Sequence, residues 1–162
     1  MNNQLFQFVT PEDVREWQIV NDQVMGGCSN SQVDWNPDGS MTFKGTISSE
    51  NGGGFVSIRR IVPPNSGTEG LSICFKGDYK LKIKVRTDPF LDGVDYASFA
   101  QGQAEDWTQI ILPFSEFKPY FRGLQLPDAA TLVPAEIQQI GLLIGESQFG
   151  PFEVQIRRIE IY

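Results

Sequence analysis

The sequence predicts an all-β protein with minimal helix, folded as a jelly-roll-like sandwich of two antiparallel sheets. Many short segments alternate apolar and polar residues with a period of two, which is typical of strands with one buried face. Glycine- and proline-containing turns separate these segments, and long helical patterns are missing. At 162 residues, 40% of them hydrophobic, the chain can bury a good core, so we expect residues 1–162 to form one domain.

The predicted strands follow one another along most of the chain. A short strand-like run comes first, and the remaining strands are predicted at 41–47, 55–61, 71–76, 80–86, 107–112, 140–144 and 152–156, the last continuing into 159–161. Turns containing Gly are predicted between strands at 36–39, 63–67, 76–78 and 150–151. Single helical turns are predicted at 113–117 and 134–139. The succession of strands and turns therefore indicates a sandwich with very few helical residues.

The charge of the chain argues against several classes of partner. Asp and Glu number 20 against 13 Lys and Arg, which gives a net charge of −7. An acidic surface repels phosphate backbones and anionic membranes, so nucleic-acid binding is not expected. No apolar run reaches the length of a membrane span, and the first residues resemble neither a signal peptide nor a transit peptide. We therefore expect a cytoplasmic protein without direct membrane insertion.

The composition also argues against most enzyme chemistry. The chain has no histidine, which excludes His general bases, Ser-His and Cys-His dyads, and His metal ligands. Its two cysteines are too few for a disulfide framework, and we expect them to be reduced. The scattered carboxylates form no local metal or catalytic motif. We therefore expect no catalytic residues, no metal and no cofactor.

Two polar, glycine-rich segments are the most distinctive features of the sequence. The first begins with Asn21 and Asp22, whose side chains can bond backbone amides of a tight turn, and it contains Gly26 and Gly27. The second spans residues 51–54, and its context does not match a phosphate-binding loop. We expect the two segments to meet at one end of a sheet. They could fix the strands or contact a partner, depending on whether Val24 and Met25 of the first segment point inward or outward.

A basic stripe lies along one predicted strand. Four cations alternate with apolar residues at Lys80, Lys82, Lys84 and Arg86. Such a stripe could be a solvated face, a charge pattern that blocks edge-to-edge pairing, or an electrostatic dock for an acidic partner surface. We treat these four residues as a secondary electrostatic surface.

The chain resembles the complex I intermediate-associated protein family in several separated blocks. The opening block is W-x-x-V-N-D-x-V-M-G-G-x-S at 17–29. Further blocks, in order, are F-K-G at 43–45, E-N-G-G-G-F-V-S-I-R at 50–59, K-G-D at 76–78, V-R-T-D at 85–88, Trp107, L-P-F at 112–114, F-K-P at 117–119, R-G at 122–123, I-G-L at 140–142 and G-P-F at 150–152. The resemblance therefore covers nearly the whole chain.

The resemblance implies a galactose-binding-like sandwich and a non-enzymatic role. Members of the family are assembly factors, or chaperones, so the implied partners are protein subunits of a membrane electron-transfer complex, respiratory or photosynthetic. The face that we expect to contact the partner carries Asn21, Asp22, Met25, Gly26, Gly27, Ser29, Asn51, Gly52, Gly53 and Arg59.

Two other functions compete with this hypothesis. A carbohydrate- or small-ligand-binding module of the same fold would present surface aromatics such as Trp107 or Tyr96, with a structural calcium ion as one option. An enzyme that works without histidine would need a close pair of carboxylates in a cleft.

Overall fold

A computed structural model describes residues 4–64, 67, 69–90 and 92–162, which form two antiparallel sheets packed face to face. One short helix, α1, spans Pro11–Arg15. The strands are β1 (Gln4–Gln7), β2 (Gln18–Ile19), β3 (Asn30–Asn36), β4 (Ser40–Ile47), β5 (Val56–Ile61), β6 (Gly70–Lys76), β7 (Lys80–Arg86), β8 (Val94–Gln101), β9 (Thr108–Pro113), β10 (Lys118–Phe121), β11 (Leu124–Gln125), β12 (Gln139–Ile144) and β13 (Gly150–Ile161).

Strands that are distant in the sequence lie side by side in both sheets. The first sheet has the order β3-β4-β13-β6-β9, with β1 also paired to β13. The second sheet has the order β11-β10-β8-β7-β12-β5-β2. This arrangement of two antiparallel sheets confirms the predicted all-β sandwich.

The core lies between the sheets and is built from alternate residues of the strands. In β7, Leu81, Ile83 and Val85 are almost completely buried, as the alternation predicts. In β13 the buried side alternates up to Ile156, and the register then shifts between Ile156 and Arg158. This bulge adds one residue, which returns the apolar side chains beyond it to the core.

All the predicted strands and both single helical turns are present, but one predicted turn is wrong. The turn predicted at 63–67 includes residues 65 and 66, which lie outside the described residues. The helical turns are 3₁₀ turns at Phe114–Glu116 and Pro134–Glu136. Gly150 and Pro151, predicted as a turn, begin β13 and pair with β4. The chain reverses just before them, where Glu146 and Ser147 have positive φ angles of 54° and 66°. A proline is tolerated near the start of a strand, so Gly-Pro did not require a turn there.

Among the described residues, no helix is both long enough and apolar enough to cross a membrane.

Candidate functional site

The two glycine-rich segments form adjacent loops at one end of the sandwich. Loop 1, residues 20–29, connects β2 to β3, and loop 2, residues 48–55, connects β4 to β5. A 3₁₀ turn at Asp22–Met25 occupies the middle of loop 1 and ends at Gly26, whose φ is 84°. The side chain of Asn51 in loop 2 reaches the sulfur of Cys28 in loop 1 at 3.5 Å. The two segments therefore meet, as the sequence predicts.

Asp22 joins the two loops through its carboxylate. Its Oδ1 accepts a hydrogen bond from the backbone N–H of Ser29 at 2.9 Å. Its Oδ2 accepts bonds from the Ser29 hydroxyl at 2.6 Å and from the backbone N–H of Gly54 at 2.8 Å. Asp22 and Ser29 are both 0% exposed. We call this set of contacts the Asp22 junction.

The environment of Asp22 favours its charged form. Burial by itself raises the pKa of the carboxyl, but hydrogen bonds from the Ser29 side chain and from the backbone of Gly54, Ser29 and Phe55 outweigh burial. The pKa of Asp22 is therefore lowered. The junction is a charged acceptor surrounded by donors.

Two glycines are required because the loops approach the Asp22 carboxylate closely. A Cβ atom on Gly27 would lie 2.5 Å from Asp22 Cγ. A Cβ atom on Gly53 would lie 2.5 Å from Asp22 Oδ2 and 3.1 Å from Gly27 Cα. Any larger residue at either position would therefore force the junction apart.

Asn21 extends the buried polar network toward the second sheet. Its Oδ1 accepts hydrogen bonds from the Ser31 hydroxyl at 3.0 Å and from the Ser57 backbone N–H at 3.3 Å. Asn21 is only 6% exposed. Of the ten predicted partner-facing residues, Asn21, Asp22, Ser29 and Gly27 are thus buried in the structure.

The exposed part of loop 1 is apolar. Val24 and Met25 are 70% and 66% exposed, so both point outward. Gly26 beside them and Asn51 and Gly52 across in loop 2 are also exposed. We call Val24, Met25, Gly26, Asn51 and Gly52 the loop tip. The buried Asp22 junction fixes the backbone of the loop tip, whereas the apolar side chains of the tip are exposed to solvent.

Arg59 lies outside the loop tip, on the outer face of the second sheet. Its Nη1 donates to Gln139 Oε1 at 2.8 Å, and its Nε donates to Gln18 Oε1 at 3.2 Å. Strand β12 separates β5 from β7, and Arg59 pairs with Gly141, which pairs in turn with Lys84. The structure therefore brings Arg59 together with the predicted electrostatic surface.

The cations of β7 have different partners on this outer face. Lys80 pairs with Glu146 at 2.8 Å, and Arg86 pairs with Asp88 at 3.0 Å. Lys84 Nζ lies 3.8 Å from Asp95 Oδ2, and the Lys82 Nζ lies 4.1 Å from the centre of the Tyr120 ring. We call Arg59, Lys82, Lys84 and Arg86 the basic face.

Burial lowers the pKa values of three cations of the basic face, and neighbouring cations contribute for Lys84 and Arg59. Burial is the main reason why the pKa of Lys84 is lowered, and the positive charges of Lys82, Arg86 and Arg59 lower it further, while Asp95 opposes them. Burial also lowers the pKa of Lys82, against Asp95 and Glu146. The pKa of Arg59 is lowered by burial and by Arg86.

Sequence reasoning missed Gln139, Asp95 and Tyr120 as members of this face. Each stands next to the basic residues only because β12, β8 and β10 pair across the sheet. Gln139 is 80 positions from Arg59, so no local pattern links the two. Only the strand order, which the sequence does not state, could have identified them.

The two aromatic residues named for sugar stacking, Trp107 and Tyr96, have other contacts in the structure. Tyr96 is 8% exposed, and its hydroxyl donates to the carbonyl of Ala130 at 2.8 Å. The Trp107 ring is covered by the cations of Arg157 and Lys76, 4.0 and 5.1 Å from its centre. Neither ring is therefore an open stacking platform.

Both cysteines are free thiols, Cys28 exposed and Cys74 buried. Over the ranges that the structure describes, no three Cys, Asp or Glu side chains are grouped so that they could hold a metal ion.

Comparison with known proteins gives a consistent family match. The family model described as Complex I intermediate-associated protein 30 (CIA30) matches residues 6–156. A mouse (Mus musculus) protein named Complex I intermediate-associated protein 30, mitochondrial, is 24% identical over 182 aligned positions. The alignment includes 98% of this chain and 55% of the mouse protein, so the chain spans little more than half of that relative.

Solved structures with a similar fold include carbohydrate-binding modules and an agarase. The family 11 module from Clostridium thermocellum, solved with a mixed-linked tetrasaccharide, has a TM-score of 0.70 at 15% identity, covering 99% of this chain and 95% of the module. A family 29 module has a TM-score of 0.55 at 12% identity, with 99% and 91% coverage. An agarase has a TM-score of 0.64 at 10% identity, covering 100% of this chain and 25% of the enzyme. At these identities the likeness concerns the fold.

Proposed function

Because this chain belongs to the Complex I intermediate-associated protein 30 family, we propose that it is a non-enzymatic assembly factor for a membrane electron-transfer complex. The complex would be respiratory complex I or a related photosynthetic complex. The protein would bind a subunit transiently before that subunit joins its neighbours. A cytoplasmic location is part of the proposal, whereas the mouse relative is named as mitochondrial.

The observation that carries the proposed site is the contrast within loop 1. Asp22 is completely buried and bonds both loops, while Val24 and Met25 beside it are about two-thirds exposed. Burying an apolar side chain of this size contributes about 1.5–3 kcal/mol, so the pair offers a useful contact for a partner. Asn21, Asp22, Gly27, Ser29 and Gly53 would support the tip without touching the partner.

A co-purification experiment tests this proposal. A tagged copy is isolated from mildly solubilised native cells, beside a V24S/M25S variant of the loop tip. The matched control is V9S/I111S, because Val9 and Ile111 are 70% and 61% exposed but lie outside both loops. All three proteins are first compared by thermal unfolding, which we expect to agree because none of the four side chains is buried.

We expect unassembled membrane-complex subunits to co-purify with the wild type and the V9S/I111S control and to be lost from V24S/M25S. Loss of roughly 3 kcal/mol of apolar contact weakens binding by about two orders of magnitude. A wild-type preparation without such subunits would contradict the assembly role. Retention by V24S/M25S would contradict the proposed site while leaving the role intact.

Carbohydrate binding is the competing function, suggested by the fold of the solved neighbours. The cation-covered Trp107 and the buried Tyr96 count against it. Titration with a β-1,3-1,4-linked tetrasaccharide, followed by calorimetry and tryptophan fluorescence, separates the two functions. We expect neither heat nor quenching, and saturable binding would favour the carbohydrate function.

A further inference from the structure

The basic face is a continuous surface across neighbouring strands. Arg59 on β5, Gly141 on β12 and Lys84 on β7 lie in one cross-strand row. Neighbouring strands are about 4.8 Å apart, so the Cα atoms of Arg59 and Lys84 are roughly 10 Å apart. Lys82 and Arg86 flank Lys84 on the same side of β7, because side chains of one strand alternate. Four cations therefore share one small patch.

The positive charge of this patch is only partly balanced. Lys84 and Arg86 have Asp95 and Asp88 at 3.8 and 3.0 Å. Within the described ranges, no carboxylate lies within 4.0 Å of the charged nitrogens of Lys82 or Arg59. Arg59 donates hydrogen bonds to Gln18 and Gln139, and the Lys82 Nζ lies over the Tyr120 ring. In a chain of net charge −7, this is a local excess of cations.

Burial and then neighbouring cations lower the pKa values of Lys84 and Arg59, in agreement with this imbalance, whereas burial alone lowers the pKa of Lys82. Partly buried cations that repel one another gain stability when an anion approaches them. One carboxylate placed beside Arg59 and another placed beside Lys82 would thus compensate charge that the fold itself leaves uncompensated.

The surroundings of the basic face favour a short acidic protein segment over other anions. A membrane or a nucleic acid would extend beyond the patch and meet the excess of acidic residues elsewhere on the chain. A sugar would need ring faces for stacking, but Lys82 covers Tyr120 at 4.1 Å and Lys80 covers Phe99 at 4.4 Å. A short segment with several Asp or Glu residues would contact the patch alone.

We propose that the basic face binds a short acidic segment of the partner protein, with Arg59 and Lys82 each pairing with a carboxylate. This inference rests on the proposed assembly function and adds the chemistry of the partner to it. It also assigns Arg59 to the basic face instead of the loop tip.

Fluorescence anisotropy with a labelled octaglutamate peptide tests the inference. The variant is R59Q/K82Q, and the control is K44Q/K76Q, which removes the same charge from the first sheet. Lys44 and Lys76 lie on β4 and β6. We expect the variant to bind octaglutamate roughly 10- to 100-fold more weakly, because each lost pair costs about a factor of three to ten. The control should change less than about threefold, and added salt should weaken wild-type binding.

Three outcomes would overturn the inference: no octaglutamate binding, an equal loss in K44Q/K76Q, or tighter binding of hexagalacturonate, an acidic sugar of similar charge, than of the peptide. These outcomes are separate from failure of the proposed function. If native subunits still co-purify with the wild type while octaglutamate does not bind, only the assignment of the acidic segment fails. If R59Q/K82Q also loses the subunits but V9S/I111S keeps them, the basic face is part of the partner site.

Discussion

Replacing Asp22 by asparagine tests whether the Asp22 junction stabilises the fold. The carboxylate accepts three hydrogen bonds of 2.9 Å or shorter, one on Oδ1 and two on Oδ2. An asparagine has one carbonyl oxygen, so at least one of these buried donors would face an NH₂ group instead. An unsatisfied buried donor costs about 1–3 kcal/mol, and the remaining bonds lose their charge assistance. We therefore expect D22N to lose roughly 2–4 kcal/mol of unfolding free energy.

Urea and thermal unfolding at pH 7 measure this loss. For a chain of this size, the expected change lowers Tm by roughly 4–16 °C. The control is D38N, since Asp38 accepts two bonds from Ser40 but is exposed. Water can replace these bonds, so we expect D38N to lose less than about 1 kcal/mol. A D22N protein as stable as D38N would refute the argument.

The pH dependence of the unfolding free energies of wild type and D22N tests whether the charge of Asp22 stabilises the folded protein. The pKa of Asp22 is lowered in the folded protein, whereas in the unfolded chain it is about 3.9. The charged carboxylate therefore contributes stability that is complete above about pH 5 and is lost as the pH falls through the folded-state pKa. The stability difference between wild type and D22N should accordingly narrow at low pH. A constant difference down to pH 2 would show that the charge of Asp22 does not matter.

Two further predictions follow from close packing and exposure. G53A should lose roughly 2–4 kcal/mol in urea unfolding, because a Cβ on Gly53 would lie 2.5 Å from Asp22 Oδ2 and would both overpack the junction and disturb its hydrogen bonds. G52A should lose only roughly 1–2 kcal/mol, because a Cβ there meets nothing within 4 Å and the cost is that of an alanine at a φ of 73°; equal losses would contradict this. Ellman's reagent should modify Cys28 in the native protein and Cys74 only after denaturation, and rapid modification of both thiols in native buffer would contradict the burial of Cys74.

Several of the strands that the sequence predicts have two faces that differ in chemistry. In β7, lysines alternate with buried apolar residues, so the period of two is visible. In β8 the buried face includes Tyr96 and Ala100, and the other face includes Ala97 and Phe99, so the two faces look alike in the sequence. Without a contrast between faces, local periodicity cannot identify β8. Strand β3 is an edge strand in which only Val33 and Trp35 pack against the core, so its alternation covers too few apolar residues to identify it from the sequence.

The candidate site was predictable where it depends on backbone chemistry and unpredictable where it depends on strand order. Paired glycines beside Asn21 and Asp22 indicate a tight loop that accepts amide hydrogen bonds. The bond from Gly54 to Asp22 crosses 32 positions, and it decides that Asp22 is buried instead of exposed. The position of Arg59 beside Lys84 likewise follows from β12 lying between their strands. Both facts come from tertiary pairing.

The structure separates the residues that make the loop signature distinctive from those available to a partner. Asp22, Gly27 and Gly53 are fixed by the junction, because a change of Asp22 alters buried hydrogen bonds and a Cβ on either glycine would overlap the Asp22 carboxylate. Val24 and Met25 carry no such constraint, since solvent covers most of each side chain. Folding therefore does not explain why an apolar pair lies at this tip, whereas the partner contact that we propose would explain it. The Asp22 junction fixes the position of Val24 and Met25, and the chemistry of these two side chains determines what the loop tip can bind.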